Sequence, residues 1–258
     1  MTNPVALVTN ALSFAGPPAV VALRDAGFLV VVHDTRFAAP DEQERYRRAH
    51  PDVLVLSAQA PADVVEAAWA VAKRLDVLVS NDAYQPIHGS IEAAEVESLQ
   101  VTLERLVIFP FAVARAAIPR LKEQSKSRVV FISSNRNRLP LAGGSIPDIA
   151  RAGANALVKS LSIELAQWGI PVNAIAPNYL YSETYYPRAR FVDDPAGRAY
   201  IEQVVPAGRL ARAEEIGELI RYLATMEGTF LTGAIIDFSG GWPVAIPLPK
   251  PPSTPTKN

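Results

Sequence analysis

The sequence contains no cysteine among its 258 residues. That absence excludes disulfides, thiol nucleophiles and thiolate metal sites, so the chain is indifferent to the redox state of its compartment. An excess of positive or negative charge is also lacking, because the formal net charge is only -1. A nearly neutral chain offers no electrostatic basis for binding nucleic acid or an anionic membrane. Chemistry on a small molecule is therefore the favoured class of function.

Long apolar runs are lacking too. The stretch MTNPVALVTN has no basic region and no apolar segment long enough for a signal or a membrane span. We therefore expect a cytoplasmic location and no membrane partner. No linker interrupts residues 1–245, whose length suits one large domain. Residues 246–258 are rich in proline and poor in large apolar residues, so we expect a mobile tail there.

Short apolar, β-branched segments alternate along the chain with longer segments of helical periodicity. This alternation predicts a parallel sheet with crossover helices. The predicted strands are 5–9, 29–33, 53–56, 77–80, 129–133, 171–175 and 235–238. The predicted helices are 17–26, 62–74, 95–123, 146–168 and 213–224. We predict the α/β fold class, as a single-domain doubly wound (Rossmann-like) parallel seven-stranded sheet with helices on both faces.

The loop after the first predicted strand lacks glycines that a dinucleotide-binding turn needs. Such a turn uses glycine for its tight bend and to let a pyrophosphate approach the backbone. Asn10, Phe14 and Gly16 stand where a TGxxxGxG pattern has its three glycines. The ring of Phe14 would fill space that a cofactor needs, so we expect no bound cofactor and no metal. Asp34 could hold a ribose hydroxyl, but an aspartate at a strand end is more often a cap or turn residue.

Six segments together carry a resemblance to a known family. They are VTN at the first strand, LVSNDA at 78–83, FISS at 131–134, ARAGANALVKSLSIELA at 150–166, PVNAIAPNYL at 171–180 and LTGAIIDFSGGW at 231–242. Their order and spacing resemble the short-chain dehydrogenase/reductase superfamily over nearly the whole chain. Within it, the sequence is similar to halohydrin dehalogenases, a cofactor-free branch. Phe14 in the former glycine loop, Arg151 in place of a lysine, and PNYL at 177–180 carry that likeness.

The resemblance implies a carbon–halogen lyase. Such enzymes convert a vicinal halohydrin to an epoxide and halide, and open epoxides with halide, azide, cyanide or nitrite. Ser134 is implied to hold the substrate oxygen, with Ser133 as the less favoured neighbour. Because side chains alternate along a strand, we expect only one of the two to face the site. Arg151 is implied to stabilise a phenolate, and Asp82 to orient Arg151 and assist proton exit.

The resemblance also implies an anion site and a subunit assembly. Backbone N–H groups of Tyr179 and Leu180 are expected to donate to a halide, because Pro177 turns the chain inward. Residues implied at the halide site are Phe14, Pro177, Asn178, Tyr179, Leu180 and Tyr186. Residues implied in the substrate pocket are Tyr84, Pro86, Leu141 and Trp242. Relatives form tetramers through their two long helices, which implies a homotetramer here.

Proline occupies the position where this family carries its catalytic tyrosine. Counting thirteen residues on from Ser134, or four back from Arg151, leads in both cases to Pro147. Ser145 and Asp148 resemble a capping box, which would make Ser145 the N-cap and put Pro147 in the first helical turn, where proline is tolerated. We therefore expect the fold to persist. Loss of a positioned general base commonly costs about 10²- to 10⁴-fold in rate.

Three functions remain open from the sequence. The first is a halohydrin dehalogenase that binds halide, with turnover reduced or redirected unless water or another side chain transfers the proton. The second is a non-catalytic ligand-binding protein that kept the fold, which the missing tyrosine favours. The third is an NAD(P)-dependent reductase, which the first loop disfavours. Phe14, Arg151 and the PNYL segment favour the first, because a scaffold has no need of an anion pocket.

Overall fold

A computed structural model of the chain describes residues 3–243. Its seven strands form one parallel sheet in the order β3-β2-β1-β4-β5-β6-β7. They are β1 (Val5–Val8), β2 (Leu29–Val32), β3 (Leu54–Val55), β4 (Val77–Asn81), β5 (Arg128–Ile132), β6 (Val172–Pro177) and β7 (Ile235–Phe238). The predicted doubly wound α/β sheet is confirmed. The expected mobile tail, 246–258, and the domain boundary at residue 245 lie outside the described residues.

Nine α-helices lie within residues 3–243. They are α1 (Gly16–Asp25), α2 (Pro40–Ala49), α3 (Pro61–Ala72), α4 (Val96–Leu103), α5 (Phe109–Lys122), α6 (Ser145–Ala166), α7 (Arg188–Phe191), α8 (Pro195–Val204) and α9 (Ala213–Thr225). The helix predicted over 95–123 consists of α4 and α5, joined by a π-helical segment at Glu104–Ile108. In the described part of the chain, no helix is both long enough and apolar enough to span a membrane.

The sheet has an apolar core on each of its two faces. One face, which includes Leu7 and Leu78, packs against α3, α5 and α6. The opposite face, which includes Val8 and Val79, packs against α1 and α9. Neighbouring residues of a strand point to opposite faces, so strands covered on both sides need apolar residues throughout. This requirement explains why the strands were visible as continuous apolar runs in the sequence.

All strands are parallel, so their carboxyl ends meet at one edge of the sheet. At this edge β1 ends at Val8, β4 at Asn81, β5 at Ile132 and β6 at Pro177. The strand order reverses between β1 and β4, and ligands of doubly wound sheets bind beyond the carboxyl ends at such a reversal. The loops that follow these four strands are therefore the place to look for a site.

Candidate active site

A cavity of about 200 Å³ lies at this edge of the sheet. It is smaller than the roughly 300 Å³ at which pockets for drug-sized ligands begin, so its size suits a small molecule. Ten of the residues predicted for the site line it. These are Phe14, Tyr84, Pro86, Ser134, Arg151, Pro177, Asn178, Tyr179, Leu180 and Tyr186.

Two predicted pocket residues do not line this cavity. Leu141 lies before α6 and its side chain is exposed. Trp242 packs edge-on against Tyr179, with ring centroids 5.8 Å apart, and its carbonyl accepts a hydrogen bond from Asn135. Both had been placed in the pocket by resemblance alone, and neither contributes to the wall of this chain's cavity.

The two serines after β5 both line the cavity, so the expectation that only one faces the site is wrong. Strand β5 ends at Ile132, and side-chain alternation does not extend beyond the strand. Ser133 Oγ donates to Asn155 Oδ1 at 2.5 Å. Ser134 Oγ lies 3.4 Å from the Pro177 carbonyl, a long contact for a hydroxyl donor. Ser134 Oγ also accepts a hydrogen bond from the Arg136 N–H at 3.2 Å, so its proton, whose acceptor is distant, is the less firmly engaged of the two serine protons.

Arg151 projects from α6 into the cavity wall and is only 5% exposed. One guanidinium nitrogen, Nη1, donates to the Asp82 carbonyl at 3.0 Å, and the other, Nη2, donates to the phenol oxygen of Tyr185 at 3.1 Å. A solvated helix arginine would show neither contact. Burial together with directed donors makes Arg151 a fixed positive charge at the site.

Asp82 holds Arg151 through its backbone carbonyl and not through its carboxylate. The carboxyl group is buried and accepts a hydrogen bond from Ser80 Oγ at 3.1 Å. Burial raises the pKa of Asp82 from its ordinary value of 3.8 to about 7, against the lowering effects of Ser80 and Arg151. Asp82 does not line the cavity, and it contacts the site through the hydrogen bond from Arg151 to its backbone carbonyl.

The prediction missed Tyr185, whose ring lines the cavity. Its phenol oxygen accepts hydrogen bonds from Arg151 Nη2 and from the Tyr84 N–H, both at 3.1 Å, and donates to the Tyr84 carbonyl at 3.0 Å. The ring meets Phe14 edge-on at 4.9 Å. Tyr185 lies far from Arg151 in the sequence and outside any helical spacing with it, so no sequence pattern linked the two.

Pro147 lines the cavity in the first turn of α6, as predicted. The N-cap, however, is Gly144, and it makes no side-chain capping hydrogen bond, so the predicted capping box at Ser145 is wrong. Asp148 pairs instead with the guanidinium of Arg136. That ion pair engages the Asp148 carboxylate with a cation of the same chain. Pro147 offers the cavity no ionisable group.

The loop after β6 forms the wall expected to hold an anion. The Tyr179 N–H donates to Asn178 Oδ1 at 3.0 Å, which corrects the expectation that it points at a halide. The Tyr186 hydroxyl donates to the same oxygen at 2.7 Å. Leu180 is 2% exposed, and within residues 3–243 its N–H donates to no acceptor. Buried backbone N–H groups are rarely left unpaired, so the Leu180 amide is available to an anion.

The two phenols beside this amide remain neutral. Burial raises the pKa of both Tyr179 and Tyr186 well above the ordinary value for a phenol. Neither phenol therefore places a negative charge in the wall where an anion would sit. An uncharged wall with one unpaired N–H suits a small, weakly hydrated anion.

Comparison with known proteins places the chain in a family. A family model described as enoyl-(acyl carrier protein) reductase matches residues 16–243. The chain belongs to the short-chain dehydrogenase/reductase family. A curated relative, cis-4-hydroxycyclohexanecarboxylate dehydrogenase of Sinomonas cyclohexanicum, is 30% identical to it over 247 residues, which cover 92% of this chain and 96% of that protein. The predicted membership of the superfamily is confirmed.

Two solved structures are similar to this short-chain dehydrogenase/reductase at higher identity. A structure described as a dehalogenation enzyme is 32% identical, with a TM-score of 0.89, and the match covers 93% of this chain and 98% of that one. A halohydrin dehalogenase bound to ethyl (2S)-oxiran-2-ylacetate is 34% identical, with a TM-score of 0.91 and coverage of 95% and 100%. The relatives thus include both oxidoreductases and dehalogenases.

The family implies a nicotinamide dinucleotide, and the first loop of this chain can be tested for its fit. Phe14 and Asn10 both adopt positive φ, at 53° and 50°, so the backbone bends without the glycines. The Phe14 ring lines the cavity and contacts Tyr185, and a dinucleotide would have to displace it. The residues present therefore do not fit that group.

The position expected to bind the ribose of a dinucleotide is already occupied by protein donors. Asp34 Oδ2 accepts a hydrogen bond from the Leu12 N–H at 2.9 Å. Its other carboxylate oxygen accepts from the backbone and guanidinium of Arg36. These hydrogen bonds hold the pKa of Asp34 below its ordinary value despite burial. Asp34 thus caps the turn that follows β2, which is the more common role of an aspartate at a strand end.

Proposed function

We propose that this chain is a cofactor-independent lyase of the halohydrin dehalogenase type. It would convert a vicinal halohydrin to an epoxide and halide, and in reverse open epoxides with halide, azide, cyanide or nitrite. One observation carries the proposal. A single small cavity brings together Ser134, Arg151 and the unpaired Leu180 amide, while Phe14 occupies the loop that would cradle a dinucleotide. The likeness to two dehalogenase structures supports the same conclusion.

Ring closure needs three things from a protein, and the cavity offers a candidate for two of them. The substrate oxygen needs a donor to position it, and Ser134 has a hydroxyl whose acceptor within residues 3–243 is distant. The leaving halide needs stabilising donors, and the Leu180 amide is a candidate donor in the cavity that Phe14 also lines. The hydroxyl proton needs an acceptor, and Pro147 cannot provide it. We therefore expect turnover below that of an enzyme with tyrosine at position 147.

The homotetramer is part of this proposal, because the two long helices carry apolar residues on their surfaces. Phe111 on α5 is 49% exposed and Ile163 on α6 is 79% exposed. Exposed apolar side chains of this size are candidates for burial against a second subunit. Gly153 does not contribute to such an interface, because a Cβ there would meet Val107 of the same chain at 3.2 Å. Sedimentation of the purified protein measures the assembly directly.

Two measurements test the proposed function. Crystals soaked in bromide should show anomalous density at residues 177–180, and the protein should release chloride from a simple vicinal chlorohydrin. The Pro147→Tyr variant should release chloride faster than the parent protein. A titration with NADH and NADPH serves as the control for the alternative suggested by the oxidoreductase relatives. Nucleotide binding with no bromide density would contradict the proposal, and bromide density with no turnover in either protein would favour a ligand-binding role.

A further inference from the structure

The cavity contains a phenol that contacts the buried cation, although position 147 has none. Tyr185 Oη accepts a hydrogen bond from Arg151 Nη2 at 3.1 Å. Guanidinium donors stabilise negative charge on the oxygen to which they donate. We propose that Tyr185 supplies the acid/base phenol that the helix lacks at Pro147, and that it acts from the loop after β6, which lines the same cavity. This inference rests on the proposed function, since it names the proton acceptor for that reaction.

Two donors and one acceptor surround the Tyr185 oxygen. Besides Arg151, the Tyr84 N–H donates to it at 3.1 Å. Its own proton is donated to the Tyr84 carbonyl at 3.0 Å, a neutral acceptor. When that proton leaves, both donors remain in place, while the carbonyl contact becomes repulsive between two oxygens. Deprotonation frees a lone pair on the Tyr185 oxygen, and a substrate hydroxyl can reach it once the repulsive contact with the Tyr84 carbonyl opens.

The ring of Tyr185 is held from several directions, as a positioned base requires. Its backbone N–H donates to Ser182 Oγ at 3.2 Å, and the turn is closed by a backbone hydrogen bond from Tyr186 to Ser182 at 2.9 Å. The ring edge packs against Phe14. Phe14, the residue that disfavours a dinucleotide, therefore also packs against the Tyr185 ring.

A neighbouring phenol of the cavity does not share this arrangement. The Tyr186 hydroxyl donates to Asn178 Oδ1 at 2.7 Å, and burial raises the pKa of that phenol. Its hydrogen bond holds it as a donor and not as a proton acceptor. Within residues 3–243, the phenol to which Arg151 donates a hydrogen bond is that of Tyr185.

The proposed step balances without any further reactant. The Tyr185 phenolate takes the proton of the substrate hydroxyl, and the resulting oxygen lone pair attacks the neighbouring carbon. The carbon–halogen bond breaks, and its electron pair leaves with the halide toward the Leu180 amide. The products are an epoxide, a halide ion and the neutral Tyr185 phenol, which then releases its proton to water. In the reverse direction the phenol protonates the alkoxide as an anion opens the ring.

The test compares chloride release from a vicinal chlorohydrin, as a function of pH, in the full-length protein and its Tyr185→Phe variant. The variant keeps the ring that packs on Phe14 and removes only the hydroxyl. Turnover should fall about 10²- to 10⁴-fold, the usual effect of removing a general base, while bromide affinity stays the same. Tyr181→Phe is the matched control, because it removes a phenol of the same loop that donates to Glu183 at 2.7 Å. Its rate should equal that of the parent.

Two further proteins separate the outcomes. The double variant Pro147→Tyr, Tyr185→Phe should regain turnover, because a phenol is restored on the helix. Substituting 3,5-difluorotyrosine at position 185 preserves shape and makes the phenol more acidic, so the acid limb of the rate profile should move to lower pH. Unchanged turnover in Tyr185→Phe, or turnover only in proteins that carry the Pro147→Tyr substitution, would overturn the role of Tyr185 and leave the proposed function standing. Absence of bromide binding and of chloride release in every protein, Pro147→Tyr included, would overturn the proposed function itself.

Discussion

Replacing the buried carboxyl of Asp82 by an amide should change how stability depends on pH. The pKa of Asp82 is raised to about 7 in the folded protein, against an ordinary 3.8, chiefly by burial. Between these two values the folded state holds a proton that the unfolded state has released. Stability contributed by this group is therefore fully present below about pH 4, and is lost as the pH rises toward 7. Asp82→Asn removes the titration while keeping an oxygen for the Ser80 hydroxyl.

The size of this effect follows from the two pKa values. At pH 5 the bound proton favours the folded wild type by about 3 kcal/mol relative to a carboxylate, and at pH 8 by almost nothing. The stability of Asp82→Asn relative to wild type should therefore increase by about 3 kcal/mol between pH 5 and pH 8.

Urea unfolding at both pH values measures the difference directly. The Asp25→Asn variant, at an exposed position, controls for the loss of one negative charge without burial. Parallel stability profiles for wild type and Asp82→Asn across this range would refute the argument that Asp82 is folded as a protonated acid. The chemical part of the site would be unaffected by that result, because Arg151 contacts the Asp82 backbone, which the substitution retains.

Three further changes have defined outcomes. Arg151→Lys keeps the charge but loses the pair of hydrogen bonds to Asp82 and Tyr185, so chloride release should fall about tenfold to a hundredfold. An unchanged rate would contradict a role for this pair of guanidinium hydrogen bonds in the reaction. Gly197→Ala should destabilise the protein by about 3 kcal/mol in thermal or urea unfolding, because a Cβ there would lie 1.7 Å from the Arg190 carbonyl oxygen; Gly228→Ala, which meets nothing within 4 Å, is the control and should change little. Burial lowers the pKa of His33 from its ordinary value of 6.5 to about 4, so the folded protein loses stability as the pH falls below 6.5. His33→Leu removes this loss, and its gain in unfolding free energy over wild type should be about 2 kcal/mol larger at pH 5 than at pH 7.5. Equal gains at the two pH values would count against that reasoning.

The strands could be predicted from the sequence because both faces of the sheet are buried, so each strand is a run of consecutive apolar residues. Helix α2 could not, since none of its residues is buried and its sequence, PDEQERYRRA, has no apolar stripe. Its signals were the proline at its start and the charges that follow, which indicate a helix only once the turn before it is known. Among the described residues, α2 reaches the apolar core only through the partly buried Tyr46, which is too little for periodicity to indicate a helix.

The site shows the same division between local and tertiary information. Ser134 and Arg151 belong to a recognisable strand end and helix, so their positions could be counted along the chain. The partner of Arg151 could not be found by counting, because Tyr185 reaches it through the path of the 182–187 loop. The anion wall was missed for a different reason, because the Tyr179 N–H donates to the side chain of the residue before it, Asn178. That contact is local, but the residue types alone do not show which way the Asn178 side chain turns.

The π-helical segment at Glu104–Ile108 affects how this chain should be aligned with its relatives. A π turn contains one residue more than an α turn, so α5 continues α4 with its faces displaced by one position. Thr102 and Leu121, both buried, are separated by about one residue more than five regular turns require. A relative whose helix lacks this π turn must therefore be aligned with a one-residue gap inside the helix, even though gaps are ordinarily assigned to loops. Placing it elsewhere would pair core positions of one protein with surface positions of another.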